Sequence, residues 1–370
     1  MDTIKRFIKN EIVLCVAFIL AFLSSFLIIP DRQYFSYIDY RTLSILLCLM
    51  ITMAGFQKLS VFRQIGELLV SKMGSLRGVS LVLIGLCFFS SMFITNDVAL
   101  LTFVPFSIIT LSICGQANYY IIVIVLETIA ANLGSMLTPL GNPQNLYLYS
   151  LSNMSLLSFI KLMIPYSVAS AILLLIFTFI FIRKAPIELM DKTTYSRNDH
   201  DKRLILMYIL CFIISIIVVA RVLPYYIGLI LVVVLCLLFD KQVLKKPDYS
   251  LIFTFVFLFI FIGNLKRIPE LSSCLENLIR INEVGVSILL SQFISNVPAA
   301  ILCSAFTTNI SKLIIGTNLG GLGTLIASMA SLISFKQYCY IDGANPKKYF
   351  ATFTLFNIIF LVILVFLQYI

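Results

Sequence analysis

The chain has 370 residues, 60% of them hydrophobic and only 12% charged, against roughly 25% charged in soluble domains. Apolar stretches of about 17 to 25 residues recur from end to end, each able to cross a hydrocarbon core of about 30 Å. This excludes a soluble domain, and continuous runs in place of alternating segments exclude a closed β-barrel. The net charge of +10 is carried in short loops between apolar runs, the pattern that anchors a cytoplasmic membrane face and not a nucleic-acid surface.

In chain order, Lys5, Arg6 and Lys9 precede an apolar run at 11–29. No small-residue cleavage site follows, so the run reads as a first span and not a removed signal peptide. Further spans are expected at 42–57, 118–149, 155–182, 204–222, 225–239, 249–265, 311–335 and 349–370. The segments 76–113 and 284–310 are also apolar, but each carries a polar motif halfway along. Both read as re-entrant hairpins that enter and leave on one side, although the first is long enough to be two short spans. The expected fold is an all-α polytopic membrane protein of about nine to eleven membrane segments. Its N-terminal half is 1–185, a polar linker runs over 186–203, and the C-terminal half is 204–370.

Most of the 27 Lys and Arg residues fall on one side of this layout, among them Lys58, Arg63, Lys72, Arg77, the cluster from Arg183 to Arg203, and Lys241, Lys245 and Lys246. The positive-inside rule then sets the N-terminus in the cytoplasm and the C-terminus outside, with the plasma membrane as the expected location. Arg221, Lys266 and Arg267 fall at span ends, where long basic side chains snorkel to the interface. The nine cysteines show no C-x-x-C spacing, and the single histidine, His200, lies in the linker. Neither a disulfide framework nor a zinc site is indicated, and no cofactor is expected beyond bound Na⁺.

The two halves resemble each other. "SMFITND" (Ser91–Asp97) is answered by "SQFISNV" (Ser291–Val297), sharing Ser, Phe, Ile and Asn, and "NLGSMLT" (Asn132–Thr138) by "NLGGLGT" (Asn318–Thr324), sharing Asn, Leu, Gly and Thr. Both pairs occur in the same order, and one further span follows each. In this layout one hairpin opens to the cytoplasm and the other outside. Such inverted repeats with interrupted helices are the architecture of secondary transporters, with substrate held near the midplane.

The stretch "NLGSMLTPLGNPQN" (Asn132–Asn145) cannot be a regular helix, because Pro139 and Pro143 each remove a donor and clash one turn back. Backbone freed at membrane depth must be buried in protein or line a polar cavity. Half-helix ends there offer carbonyls to a cation and amide groups to an anion. The second motif, "NLGGLGTLIAS" (Asn318–Ser328), has glycines instead, and alone it equally fits close helix packing. Ser91 and Thr95 are four apart, as are Ser291 and Ser295, so each pair shares a helix face below Asn96 or Asn296. Their hydroxyl, amide and carbonyl oxygens are hard ligands for a small cation. Asp97 breaks the symmetry, because its counterpart is Val297. An acid at the bilayer centre costs about 2.5–3.5 kcal/mol on insertion scales and marks an ion or proton pathway. Glu127 is the other deep acid, either a proton relay or a hydrogen-bonded structural group.

The motifs "FITNDVALLTFVP", "LTPLGNPQNL" and "SQFISNVPAA…GTLIAS" resemble the signatures of the citrate-transporter-like ion transporter superfamily, which groups divalent anion/sodium symporters, arsenite permeases and sodium/proton antiporters. The resemblance covers roughly residues 40–370. It implies a homodimer in which a transport domain, holding both hairpins and both broken helices, moves like an elevator against a scaffold. Carried over by position, it implies a first cation site at Ser91, Thr95, Asn96 and the break around Gly141 and Asn142. A second would use Ser295, Asn296 and the break around Ala327 and Ser328. Substrate would meet Asn96, Asp97, Asn142, Pro143, Asn296 and Val297, with Asp97 in the coupling site. The symporter branch has Ser-Asn-Thr at both tips. Here the tips are Thr-Asn-Asp and Ser-Asn-Val, closer to the arsenite-permease and antiporter branches.

The sequence therefore points to a secondary active transporter for a citrate-like carboxylate or inorganic oxyanion, coupled to Na⁺ or H⁺. The alternative is a sodium/proton antiporter without organic substrate. An enzyme finds no support: no Glu-x-x-His, Gly-x-Ser-x-Gly or phosphate-binding P-loop is present.

Overall fold

The computed structural model describes residues 11–187 and 199–369, predominantly helical and without a strand among them. Most of the linker, with Lys5, Arg6 and Lys9, lies outside these residues. In the N-terminal half the helices are α1 (Ile12–Leu27), α2 (Tyr34–Tyr37), α3 (Tyr40–Lys58), α4 (Val61–Val70), α5 (Leu76–Ile94), α6 (Asn96–Ile113), α7 (Tyr120–Ser135), α8 (Pro143–Leu151) and α9 (Leu156–Phe181). The C-terminal half holds α10 (Asp199–Val219), α11 (Tyr225–Phe239), α12 (Tyr249–Lys266), α13 (Pro269–Ile281), α14 (Glu283–Ile294), α15 (Asn296–Ser304), α16 (Ile310–Leu319), α17 (Met329–Cys339) and α18 (Pro346–Phe366). Among the described residues, 8 helices are long and apolar enough to cross a membrane.

Local sequence sets most boundaries. Asp39, Ser75, Asn142, Asp248, Asn282 and Asn345 each accept a first-turn backbone N–H and so start a helix. Pro143 and Pro346 occupy first helical positions, where the missing donor costs nothing. The hairpin at 76–113 has arms of 19 and 18 residues, each long enough to cross on its own, which fits the two-span alternative. The arms of the second hairpin have 12 and 9 residues, too few for two crossings.

Two helices fall where only loop was expected. α4 and α13 are short and one-sided, and each carries an i,i+4 pair on its polar face, Arg63–Glu67 at 2.9 Å and Arg280–Glu276 at 2.7 Å. Such helices suit the plane of a membrane interface. Their apolar faces are too short to register as spans, which is why the hydropathy reading passed over them. Each immediately precedes a hairpin, so they extend the repeat: span, one-sided helix, hairpin, broken helix, last span.

The packing between halves is exchanged. α1 packs on α12, and its counterpart α10 packs on α3. α6, the return arm of the first hairpin, packs on α17, and α15, the return arm of the second, packs on α8. Each hairpin thus lies against its own half's first broken segment and the other half's second one. A pseudo-two-fold relation between the repeats produces this swap.

At one end of α3 a buried acid fastens this helix to α10 and α11. The Asp240 carboxylate, 6% exposed, accepts from Lys58 Nζ at 2.7 Å and from the Tyr208 hydroxyl at 2.8 Å. The Tyr208 ring lies so close to Gly55 that a Cβ there would stand 2.2 Å from it. Burial pushes the Asp240 carboxyl up, but the hydrogen bonds from Lys58 and Tyr208 and the Lys58 charge outweigh it and hold the group below its ordinary value. Asp240→Asn should lower the unfolding midpoint in detergent by the equivalent of about 2 kcal/mol, the scale of hydrogen bonds to a charged group. A folded value below the usual 3.8 means a contribution complete above that pH and lost as pH falls through the folded value. The gap between wild type and variant, followed by far-UV circular dichroism, should therefore hold at neutral pH and shrink below about pH 3.8. A gap that stays constant in acid would contradict this assignment.

Candidate functional site

Each hairpin turns at one residue with left-handed φ, Thr95 (φ 67°, ψ 146°) and Ser295 (φ 71°, ψ 155°). This region is costly for any residue with a Cβ, on the order of 1–3 kcal/mol, and persists only where surroundings fix it. Here the fixing contact is the same in both halves. The N–H of Asn96 donates to the Gly141 carbonyl at 3.1 Å, and that of Asn296 to the Ala327 carbonyl at 3.0 Å. The motif threonines repeat the pattern, Thr138 donating to the Met92 carbonyl and Thr324 to the Gln292 carbonyl. Each tip is thereby stitched to its break.

The motif glycines permit that approach. A Cβ on Gly134 would lie 2.0 Å from the Phe88 carbonyl oxygen, one on Gly141 2.1 Å from the Ser135 oxygen, and one on Gly320 2.6 Å from the Ser291 hydroxyl. The orphan carbonyls of the breaks are taken up by side chains. Asn145 Nδ2 reaches the carbonyls of Ser135, Met136 and Thr138. In the second break Gln292 Nε2 reaches those of Gly320 and Leu322, while its Oε1 accepts from the Thr324 N–H.

The two motif asparagines then cross from one half to the other. Asn132 Oδ1 accepts from Asn96 and from Ser328, both at 3.0 Å, and its Nδ2 donates to Ser331 at 3.2 Å. Asn318 Oδ1 accepts from Asn142 at 3.1 Å, and its Nδ2 donates to Asn145 Oδ1 at 2.6 Å. Each therefore binds the start of the opposite half's second broken segment.

The result is a convergence of four helix N-termini on one small cavity of about 10 Å³, room for about one water. Asn96 and Asp97 open α6, Pro143 and Gln144 open α8, Asn296 and Val297 open α15, and Ser328 stands just before Met329, which opens α17. Leu251 of α12 closes the remaining side. First-turn amide groups lack intrahelical partners and each N-terminus carries partial positive charge, so the cavity favours an anion. Arg221 strengthens this for α8: its guanidinium donates to the carbonyls of Tyr149, at 2.9 Å, and Ser152 at the far end, quenching the negative pole there. Among the described residues, no Lys, Arg or His lines the cavity or pairs with Asp97.

Five of the six expected substrate residues, Asn96, Asp97, Pro143, Asn296 and Val297, line this cavity, and so does Ser328. Asn142 stands just behind it, capping α8 and bonded to Asn318 and Ser135. Thr95 and Ser295 form the tips, and the Gly141 and Ala327 carbonyls receive the tip amides. Ser91 is set apart: its hydroxyl donates to the Phe88 carbonyl at 3.0 Å and lies against Gly134, a turn below the tip. Glu127 is also remote, buried on α7, accepting from Ser107 through Oε1 and with Oε2 unpartnered among the described residues. Gln144, Leu251 and Met329 complete the wall and were not foreseen. Only Gln144 left a signal, as a polar residue in the first turn after Pro143.

Against this geometry, the model of the citrate transporter family matches residues 6–314. The chain belongs to that family. It is a multi-pass membrane protein and a secondary transporter, not an enzyme. An uncharacterized transporter of Methanocaldococcus jannaschii is 33% identical over 313 residues, 84% of each chain. The inner membrane protein YbiR of Escherichia coli is 28% identical over 339 residues, 91% of this chain and 88% of that one. A shorter match, 26% over 162 residues, covers 42% of this chain and 28% of a transporter named arsB in Dictyostelium discoideum.

The close approach of α5 to α7 gives a direct test. Gly134→Ala should destabilise the protein by about 3 kcal/mol or prevent folding, as overpacking against fixed backbone does. Gly85→Ala, in the same hairpin but with nothing within 4 Å of the added carbon, should stabilise by about 0.5–1 kcal/mol. Thermal unfolding of both variants in detergent separates the two, and equal effects would exclude the packing assigned to Gly134.

Proposed function

We propose that the protein moves a small anion across the plasma membrane, driven by a Na⁺ or H⁺ gradient, with Asp97 as the coupling group. The observation that carries this reading is the convergence of four helix N-termini on a cavity whose only charged residue, among the described residues, is a carboxylate. The helix ends hold the anion, while Asp97 opposes it until neutralised. A proton on Asp97, or a cation beside it, must therefore accompany the substrate. Carbonyls have two lone pairs, so those of Gly141 and Ala327 can still face a Na⁺ ion together with the tip hydroxyls of Thr95 and Ser295. Citrate-like carboxylates and inorganic oxyanions are the substrate classes to test, in keeping with the names of the family and of the arsB relative.

The hairpins and broken helices, tied across the halves by Asn132 and Asn318, would move together as an elevator past Leu251 on the scaffold, in a homodimer with its N-terminus in the cytoplasm. The antiporter reading keeps a specific support, the absence of a basic partner for Asp97 among the described residues. It would have Asp97 bind Na⁺ and H⁺ in turn.

The test is uptake of labelled citrate, labelled pyruvate and labelled arsenate into proteoliposomes under an imposed Na⁺ gradient, an imposed proton gradient, or neither. Gradient-driven uptake should fall to background in Asp97→Asn while the variant stays monodisperse, and normal coupled uptake would sink the role of Asp97. No anion uptake, with a Na⁺-dependent collapse of the pH gradient, would transfer the reading to the antiporter. A cysteine placed at Lys184 in a variant without the nine native cysteines should be labelled only from the cytoplasmic face. Labelling from outside would invert the orientation.

A further inference from the structure

The polar groups around the cavity divide into those already satisfied and those that are not. Asn142, Asn145 and Asn318 are committed to one another, Asn132 to Asn96, Ser328 and Ser331, and the Asn96 Oδ1 accepts from the Asp97 N–H. Ser328 donates to Asn132. Two amides are left over. Gln144 is 2% exposed and Asn296 5% exposed, both line the cavity, and neither side chain has a hydrogen-bond partner among the described residues. Gln144 enters from α8 of the first repeat and Asn296 from α15 of the second. Their amide atoms stay accessible from the cavity and are not sealed in protein, so a ligand held there can bond to them. A site built to hydrogen-bond a ligand rejects ligands that cannot make the bond.

The rest of the wall differs in character. Val297 stands where the first repeat has Asp97, and Met329 and Leu251 continue the apolar surface. An anionic group held by two amides and the helix ends would leave the remainder of its molecule against these three side chains. A second or third carboxylate there would lose its water against apolar side chains, and would face Asp97 as well.

Resting on the anion-transport reading, we infer that Gln144 is a substrate-binding residue, paired with Asn296 across the repeats, and that the substrate is a small monocarboxylate with an apolar end. The anion's head takes the two amides, and its body displaces Met329, an unbranched and adaptable side chain, and Leu251. Because Leu251 belongs to the scaffold, the cavity widens when hairpins and scaffold separate.

Calorimetric titration of the purified protein with pyruvate, lactate, succinate, citrate and arsenate tests this, paired with the uptake assay. Pyruvate or lactate should bind most tightly. Gln144→Ala should weaken that binding about tenfold or more, the scale of a lost bond to a charged ligand, without lowering the unfolding midpoint of the unliganded protein. Gln144→Glu, which keeps the shape and removes the donor, should weaken it at least as much. Val297→Thr adds a hydroxyl to the apolar wall and should shift preference toward succinate. Citrate or arsenate binding more tightly than either monocarboxylate would overturn the inference, as would Gln144 variants that bind pyruvate and lactate like wild type. Those outcomes together with gradient-driven uptake leave the transport reading standing. Absence of uptake for every anion in the panel would remove both.

Discussion

The structure depends on two asparagine side chains that cross between halves. Breaking a helix inside a bilayer leaves carbonyls and amides that lipid cannot satisfy, and this chain does it twice. Asn132 and Asn318 each end a first broken segment and bind the start of the opposite half's second one. The exchange makes each break the support of the other. It also brings four helix N-termini to one point, which neither half could do alone.

The same end is reached with different residues in the two breaks. In the first, Asn145 collects three orphan carbonyls behind Pro139 and Pro143. In the second, the hairpin residue Gln292 does so, and Gly323 takes φ +110° with its α-carbon against the Gln292 amide. The tips need no such variation. Thr95 and Ser295 adopt one backbone conformation, and the amide that follows each meets a carbonyl of its own break. Strain at the tips and breaks in the helices are two parts of one arrangement, each held in place by the other.

The electrostatics follow from this geometry. Helix ends supply diffuse positive potential without a basic side chain, so an anion can be held and released without breaking a strong ion pair. One carboxylate in that field makes occupancy depend on a proton or cation. Arg221, at the opposite pole of α8, belongs to the same balance although it lies outside the cavity. It was expected to reach the interface; its guanidinium is spent on carbonyls at a helix end.

Sequence alone determined the membrane class, most of the long apolar helices, the break at Pro139–Pro143 and the position of the two tips. These are local matters: hydropathy is read over about 20 residues, proline removes a donor wherever it stands, and a repeated motif needs no neighbour to be recognised. Most of the cavity wall was legible for the same reason, since it consists of tip and break residues. Tertiary structure decided the rest. The one-sided helices α4 and α13 have too little apolar length to register as spans. Ser91 shares a helix face with Thr95 but is drawn onto Gly134, and Glu127 is deep yet faces Ser107 away from the cavity. Gln144, Met329 and Leu251 become wall only because three helices distant in sequence meet there. Which amide stays unsatisfied is settled by what stands opposite it in space, and no spacing along the chain encodes that.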